Sequence, residues 1–164
     1  MTDFQPLSHV APIAVEALLD HAFGLDRHQR TAYRVRGSGS AIPALSFAAI
    51  DQGALVGTIQ CWPIRLATDA GAAVPLVMVG PVAVEPRWQD GGIGRALMTH
   101  ALEAADAQGL DALMLIGDPE YYGRFFGFTA DRTGAWRLPG PVEMRRLLAR
   151  GAGVPDAAGM LGPA

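Results

Sequence analysis

Apolar residues in this chain fall into short runs broken by Gly, Pro, Asp and Ser, and the runs carry two different periods. From Ile93 to Gln108, Leu97, Met98, Ala101, Leu102 and Ala105 recur at steps of three and four, which predicts one apolar helix face, and Gly109 supplies the stop. The stretch "HVAPIAVEALLDHAF" (9–23) predicts a first helix with Ile13, Ala17 and Leu18 on one face, Ser8 or His9 near its start and Gly24 just past its end. Residues 26–36 alternate in charge and predict a second short helix, with "GSGS" as the loop that follows. "ALSFAAI", the turn "DQG" and "ALVGTIQCWPIRLAT" predict two strands joined by a tight antiparallel hairpin at Asp51-Gln52-Gly53.

"VPLVMVGPVAVEP" (74–86) is an apolar run bounded by prolines, rich in β-branched residues and too short for a helix, which predicts a central strand. Gly80-Pro81 interrupts it. Proline donates nothing to a ladder, so the strand is expected to bend there, part from one neighbour and leave N–H groups unpaired. "ALMLIG" predicts a buried strand, and "DPEYYGRFF" a short helix with Asp118 as N-cap and Pro119 at its first position. "GFTAD", "AWRL" and "VEMRRLL" are expected as further strands. Residues 1–150 are expected to form one domain, and 151–164, rich in Gly, Pro and Ala, a flexible tail.

Composition narrows the classes. At 164 residues, half of them hydrophobic and 18% charged, the chain has the size and make-up of one globular domain. A net charge of −3, with no local Lys/Arg cluster, gives no footprint for nucleic acid. The single cysteine, Cys61, cannot pair within the chain, and one Cys with four scattered His offers no zinc spacing. No run of eighteen apolar residues and no basic-then-apolar start occurs, so a soluble, cytoplasmic protein with no membrane partner is expected.

"QDGGIGRAL" (89–97) places three glycines between the interrupted strand and the best helix. A helix start presents unpaired N–H groups at the positive end of its dipole, and glycine lets a ligand reach them, so the loop suits a phosphate or pyrophosphate. Glycines serving only a tight turn and close strand–helix packing would look the same. A P-loop is excluded because Arg95-Ala96 follows Gly94 where Lys-Ser/Thr is required. A dinucleotide fingerprint starting at Gly92 and Gly94 fails at Leu97, which occupies the third glycine position.

"VAVEPRWQDGGIGRALM" resembles the acyl-CoA-binding motif Q/R-x-x-G-x-G/A of the GNAT N-acetyltransferases, with Gln89, Gly92 and Gly94 at its defining positions. The resemblance runs over about residues 7–148, and "LIGDPEYYGRFFGF" strengthens it. It implies an α/β fold of the GNAT type: a mixed, mostly antiparallel twisted sheet with a splayed central strand, flanked by helices. It also implies acetyl-CoA as co-substrate and a primary amine, on a small molecule or peptide, as acceptor by direct attack. Val82, Ala83 and Val84 are then expected to line the pantetheine arm, and Gln89, Asp90, Gly91, Gly92, Ile93, Gly94 and Arg95 the pyrophosphate, mainly through N–H groups. Many relatives carry a basic residue at the place of Gly91, where this loop has Asp90 and no Lys, so cofactor binding is expected to lean on amides and Arg95.

Acetyl transfer from a thioester needs a neutral amine, a donor for the oxyanion and protonation of the departing thiolate. Members of the family use for the last step a Tyr four residues before a Gly-Phe pair. Because "RFFGF" carries an extra Phe, that count lands on Gly123, and Tyr122 is the nearest match as general acid, with Tyr121 second. A phenol with a reference pKa near ~10 is protonated at neutral pH and able to donate to sulfur; packing against Phe125 and Phe126 is the plain alternative. Glu85 suits a base or a solvated turn, His100 a surface or satisfied core position, and Cys61 a small buried hydrophobe. Trp62, Trp88 and Trp136 are available to shape an acceptor pocket. A non-catalytic acyl-CoA-binding or regulatory module of the same fold, and a homodimer formed through an exposed edge strand, both stay open.

Overall fold

In the computed structural model, which describes residues 1–164, the expected hairpin joins β2 (Phe47–Asp51) to β3 (Ala54–Thr68) in antiparallel register, Asp51 opposite Ala54. Gln52 and Gly53 both take positive φ (50° and 78°), the primed-turn geometry that matches the twist of paired strands. Ahead of them, β1 (Thr2–Pro6) adds to β2 as an antiparallel edge. The central strand is β4 (Ala73–Val84), followed by β5 (Leu113–Ile116), β6 (Trp136–Arg137), β7 (Leu147–Arg150) and β8 (Gly159–Pro163). Sheet order is β1-β2-β3-β4-β5-β7, with β8 beside β3 and β6; β4–β5 and β6–β8 pair in parallel, and β1–β2, β2–β3, β3–β8 and β5–β7 antiparallel. Four helices accompany the strands: α1 (Pro12–Phe23), α2 (Thr31–Arg36), α3 (Ile93–Ala107) and α4 (Pro119–Phe126). This is the mixed, mostly antiparallel sheet flanked by helices that the sequence implied.

The chain gathers into two compact units, and β3 and β4 each run through both. The first comprises Met1–His28, Ala41–Cys61 and Gly80–Gly109. In it α3 buries Leu97, Met98, Ala101, Leu102 and Ala105, the expected stripe. It fits closely over β3: a β-carbon on Gly57 would lie 2.9 Å from Ile93 Cγ2 and 3.1 Å from Leu97 Cδ1. Helix α1 buries Val15, Leu18 and Leu19 against Ala83 of β4. Its expected face is corrected here, since Ile13 is 81% exposed and Ala17 lies outside. With Ala, Val, Leu and Ile all round the helix, spacing did not fix which side faces inward.

The second unit comprises Gln29–Ser40, Trp62–Val79 and Leu110–Ala164. Here β4 pairs β5 at Val77–Leu113 and Met78–Met114, and β5 pairs β7 antiparallel from Leu113–Arg150 to Ile116–Leu147. Two expectations are revised. "GFTAD" contributes only an isolated bridge, Thr129 to Ala149, and in "VEMRRLL" Met144–Arg146 is a 3-10 turn before β7 begins. The segment beyond Arg150 does not fray: β8 pairs Thr68 to Ile64 of β3 and buries Leu161, and Val154 is buried ahead of it. Its small residues are what permit this, because a β-carbon on Gly159 would lie 2.5 Å from the Ala67 carbonyl oxygen. No helix is long and apolar enough to cross a membrane.

Candidate active site

The ladder from β4 to β5 ends at Met78, two residues before Gly80-Pro81, while β4 itself continues to Val84. The Gly80–Pro81 peptide is cis and Gly80 has φ 117°. The interruption predicted from proline therefore coincides with the end of pairing on that side. Within the first unit Ala83 is fully buried under α1, and the half-buried Val82 and Val84 lie beside Gly94 at 3.8 and 3.7 Å from where its β-carbon would be.

After β4 the chain turns through a 3-10 helix, Pro86–Gly91, rather than an irregular loop, with Pro86 at its first position. Gln89 is exposed and its Nε2 donates to the Val84 carbonyl oxygen at 3.4 Å. Gly92, left-handed at φ 79°, then caps α3 without any side-chain cap hydrogen bond, and no acidic residue stands in the first turn of the helix. The first hydrogen bond of this turn is from the Ala96 N–H to the Gly92 carbonyl oxygen, 3.1 Å. A helix that opens this way leaves its leading amides, among them those of Ile93 and Gly94, for an outside acceptor at the positive end of the dipole. Ile93 is buried against Gly57, so only its backbone is available. Asp90 and Arg95 are exposed.

The glycines separate the two explanations of the loop. Gly92 is explained by its φ. A β-carbon on Gly91 would meet nothing within 4 Å, and one on Gly94 only ordinary contacts, so the fold itself requires glycine at neither position. Packing and backbone angle thus leave these two glycines unexplained.

In the second unit, Asp118 caps α4 by accepting from the Glu120 N–H at 3.2 Å, as the sequence indicated. A hydrogen bond with the Glu120 side chain, ahead of that with its N–H, holds the Asp118 carboxyl below its usual range. Left-handed Gly127 closes the helix, its N–H donating to the Gly123 carbonyl oxygen and that of Phe128 to the Tyr122 carbonyl oxygen. The Tyr122 ring packs against the chain at the end of β5: a β-carbon on Gly117 would sit 2.5 Å from its Cε2, so this glycine makes room for the ring. Tyr121 meets Tyr122 edge-on at 4.9 Å, and Phe126 lies 6.3 Å away. Burial, then Tyr121, push the Tyr122 phenol above its ordinary pKa, with Arg146 pulling weakly the other way. Arg146 is held there by the hydrogen bond from Gly117 N–H to its carbonyl oxygen, 2.9 Å; nothing local in the sequence marked it.

The other candidates resolve differently. Glu85 accepts from His21 Nδ1 at 2.8 Å, and its N–H donates to the Val56 carbonyl oxygen, so it fastens the end of β4. His100 stacks on Phe4 at 4.8 Å, a satisfied packing position. Cys61 is buried, and burial drives its thiol up to about 12, which leaves it unreactive near neutral pH. Trp62 is half of a sandwich that holds the Arg36 guanidinium 3.8 Å from its ring and 3.8 Å from that of Tyr33. Trp136 is buried.

Comparison with known proteins agrees with this architecture. Residues 13–128 match the model of the Acetyltransferase (GNAT) family. The uncharacterized N-acetyltransferase YhbS of Escherichia coli K12 is 28% identical over 127 residues, covering 77% of this chain and 74% of that protein. The crystal structure of E. coli YhbS in complex with CoA superposes with a TM-score of 0.73 at 21% identity, over all of this chain and 89% of that one. A GNAT family acetyltransferase from Brucella melitensis in complex with acetyl-CoA gives 0.56 at 23% identity, over 93% of this chain and 97% of that one. With the family's model spanning the bent strand, the glycine turn and the Tyr-bearing helix, this chain belongs to the GNAT acetyltransferase family.

Proposed function

We propose that the chain is an acetyl-CoA-dependent N-acetyltransferase that moves the acetyl group to a primary amine, of a small molecule or a peptide, by direct attack. The observation that carries it is the uncapped start of α3, with glycines at 91 and 94 that the fold does not require, directly after a strand whose pairing to β5 stops at Met78. The residues fit the co-substrate: backbone of Val82, Ala83 and Val84 for the amides of the pantetheine arm, and the turn Gln89, Asp90, Gly91, Gly92, Ile93, Gly94 and Arg95 for the pyrophosphate. A guanidinium at Arg95 adds the one positive side chain of that turn. The CoA complexes of the structural neighbours support this choice of co-substrate.

Acetyl-CoA supplies an activated carbonyl. The amine nitrogen bonds to that carbon, the carbon–sulfur bond breaks, the proton of the amine leaves to solvent and the sulfur receives one from Tyr122. The Tyr122 phenol, above its ordinary pKa, is protonated over the whole neutral range as an unshifted tyrosine is, so the shift keeps the donor present without making it a stronger acid. Its side chain is free to donate, since no hydrogen bond of the second unit engages the Tyr122 hydroxyl. Calorimetric titration with acetyl-CoA, followed by thiol release with a panel of amines and peptides, tests the proposal. Binding with thiol release that depends on the amine is expected. Binding without release for any acceptor favours an acyl-CoA-binding module, for which exposed Asp90 in the turn is the motivating feature, and absence of binding overturns both.

A further inference from the structure

A phenol that gives its proton to sulfur is left as a phenolate, and burial, the largest influence on Tyr122, disfavours that charge. Positive charge nearby therefore bears on how readily the proton leaves. Within the second unit the groups that act on the phenol are Tyr121 and Asp118, from α4 and its cap, and Arg146, from the turn Met144–Arg146. Tyr121 and Asp118 oppose ionisation, and Arg146 favours it.

Backbone pairing fixes this neighbour. The Gly117 N–H donates to the Arg146 carbonyl oxygen at 2.9 Å, just past the β5–β7 pair Ile116–Leu147. The Tyr122 ring packs on the same glycine, where a β-carbon would lie 2.5 Å from Cε2 and 2.8 Å from Cδ2. Gly117 thus touches both, the ring through its missing side chain and Arg146 through its main chain. Neighbouring cations are committed elsewhere: Arg145 donates to Glu120 at 2.7 Å, and Arg124 lies over the Phe125 ring at 5.3 Å. Arg146 is exposed, and its charge also reaches the Asp118 carboxyl, which the Glu120 hydrogen bonds, and then Arg145 and Arg146, hold below the usual range.

We propose that Arg146 is a positioning residue for the transfer, its guanidinium offsetting the phenolate that Tyr122 becomes when the proton passes from its Oη to the departing sulfur. The step balances: the carbon–sulfur bond breaks, the sulfur gains the proton and leaves as a thiol, and the phenolate recovers a proton from solvent before the next turnover. Arg146 acts through Tyr122 and touches neither co-substrate nor acceptor. Its part in the transfer rests on the transferase proposal above; its charge pairing with the phenol does not.

Two measurements separate these. The first needs no substrate: the chain carrying tyrosine labelled with carbon-13 at Cζ is titrated by NMR, with the Tyr122 signal assigned by its loss in Tyr122→Phe. Arg146→Gln is expected to move the Tyr122 titration to higher pH, and Arg146→Lys, which keeps the charge, to leave it nearly in place. Neither is expected to lower the melting temperature, because the bond from Gly117 goes to a main-chain carbonyl that any residue supplies. The second measurement is amine-dependent thiol release. Arg146→Gln is expected to lower kcat by about threefold, the size of one exposed charge, to leave the KM for acetyl-CoA unchanged, and to matter less at high salt. In the Tyr122→Phe background it is expected to cost nothing further.

An unmoved titration in Arg146→Gln, or an equal loss of kcat with and without Tyr122, overturns the proposal. A raised KM with kcat intact overturns it too, by making Arg146 a ligand of the co-substrate. A titration that moves while no acceptor releases thiol would sink the transferase reading, and with it the part in transfer, and leave the charge pairing standing.

Discussion

At Gly151 a β-carbon would lie 1.8 Å from the Asp111 carbonyl oxygen, whereas at Gly91 it would meet nothing within 4 Å, and at Gly94 nothing nearer than 3.7 Å. Both regions are glycine-rich in sequence, but they are so for different reasons. In the second unit glycine lets backbone pass against backbone at Gly151 and Gly159, and lets the Tyr122 ring settle on Gly117. In the turn before α3 the space beside glycine is left open by the chain. A residue type that is dictated by packing in one place and unexplained by packing in another points, in the second place, to something outside the chain.

Substitutions break this comparison in order of size. Gly151→Ala should be the most damaging, because it combines φ 117° with a clash against backbone; a loss of about 3 kcal/mol or more is expected, seen as a collapse of the melting temperature. Tyr122→Phe comes next. It should lower kcat by about a hundredfold or more while leaving acetyl-CoA affinity unchanged, and an unchanged kcat removes Tyr122 as the acid.

The same variant carries a pH signature. With its pKa raised by burial, Tyr122 stays neutral in the folded chain after it would ionise in the unfolded one. Its contribution to stability is complete below about 10, the ordinary tyrosine value, and is lost as pH rises through that toward the folded value. Melting curves above that range should fall less steeply for Tyr122→Phe.

Gly94→Ala should act in the opposite sense to Gly151→Ala: stability equal or higher by about 0.5 kcal/mol, from helix propensity, with acetyl-CoA bound about tenfold more weakly. Loss of stability there would mean that packing does require this glycine. Asp90→Asn should give the smallest change, a tightening of about two- to threefold that fades at high salt, because an exposed charge is well screened.

What was legible in the sequence were features made by neighbouring residues: the stripe of α3, the Asp51-Gln52-Gly53 turn, the Asp118-Pro119 cap and the interruption at Gly80-Pro81. The turn ahead of α3 belongs with them as a piece of backbone, since its uncapped start follows from consecutive residues. Features made by distant partners were not. Strand β8 exists because Gly159 and its neighbours fit beside Thr68 and Ala67, and β1 because it has β2 to pair with. Helix α1 took its inward face from Ala83 and Leu55 rather than from its own nearly uniform apolar surface.

The central claim concerns backbone amides, so amide NMR tests it most directly. Titrating acetyl-CoA into the isotopically labelled chain is predicted to shift most strongly the N–H resonances of Val82, Ala83 and Val84 and of Gly91 to Arg95. Saturation with those signals unmoved, and the largest shifts elsewhere in the chain, would contradict it.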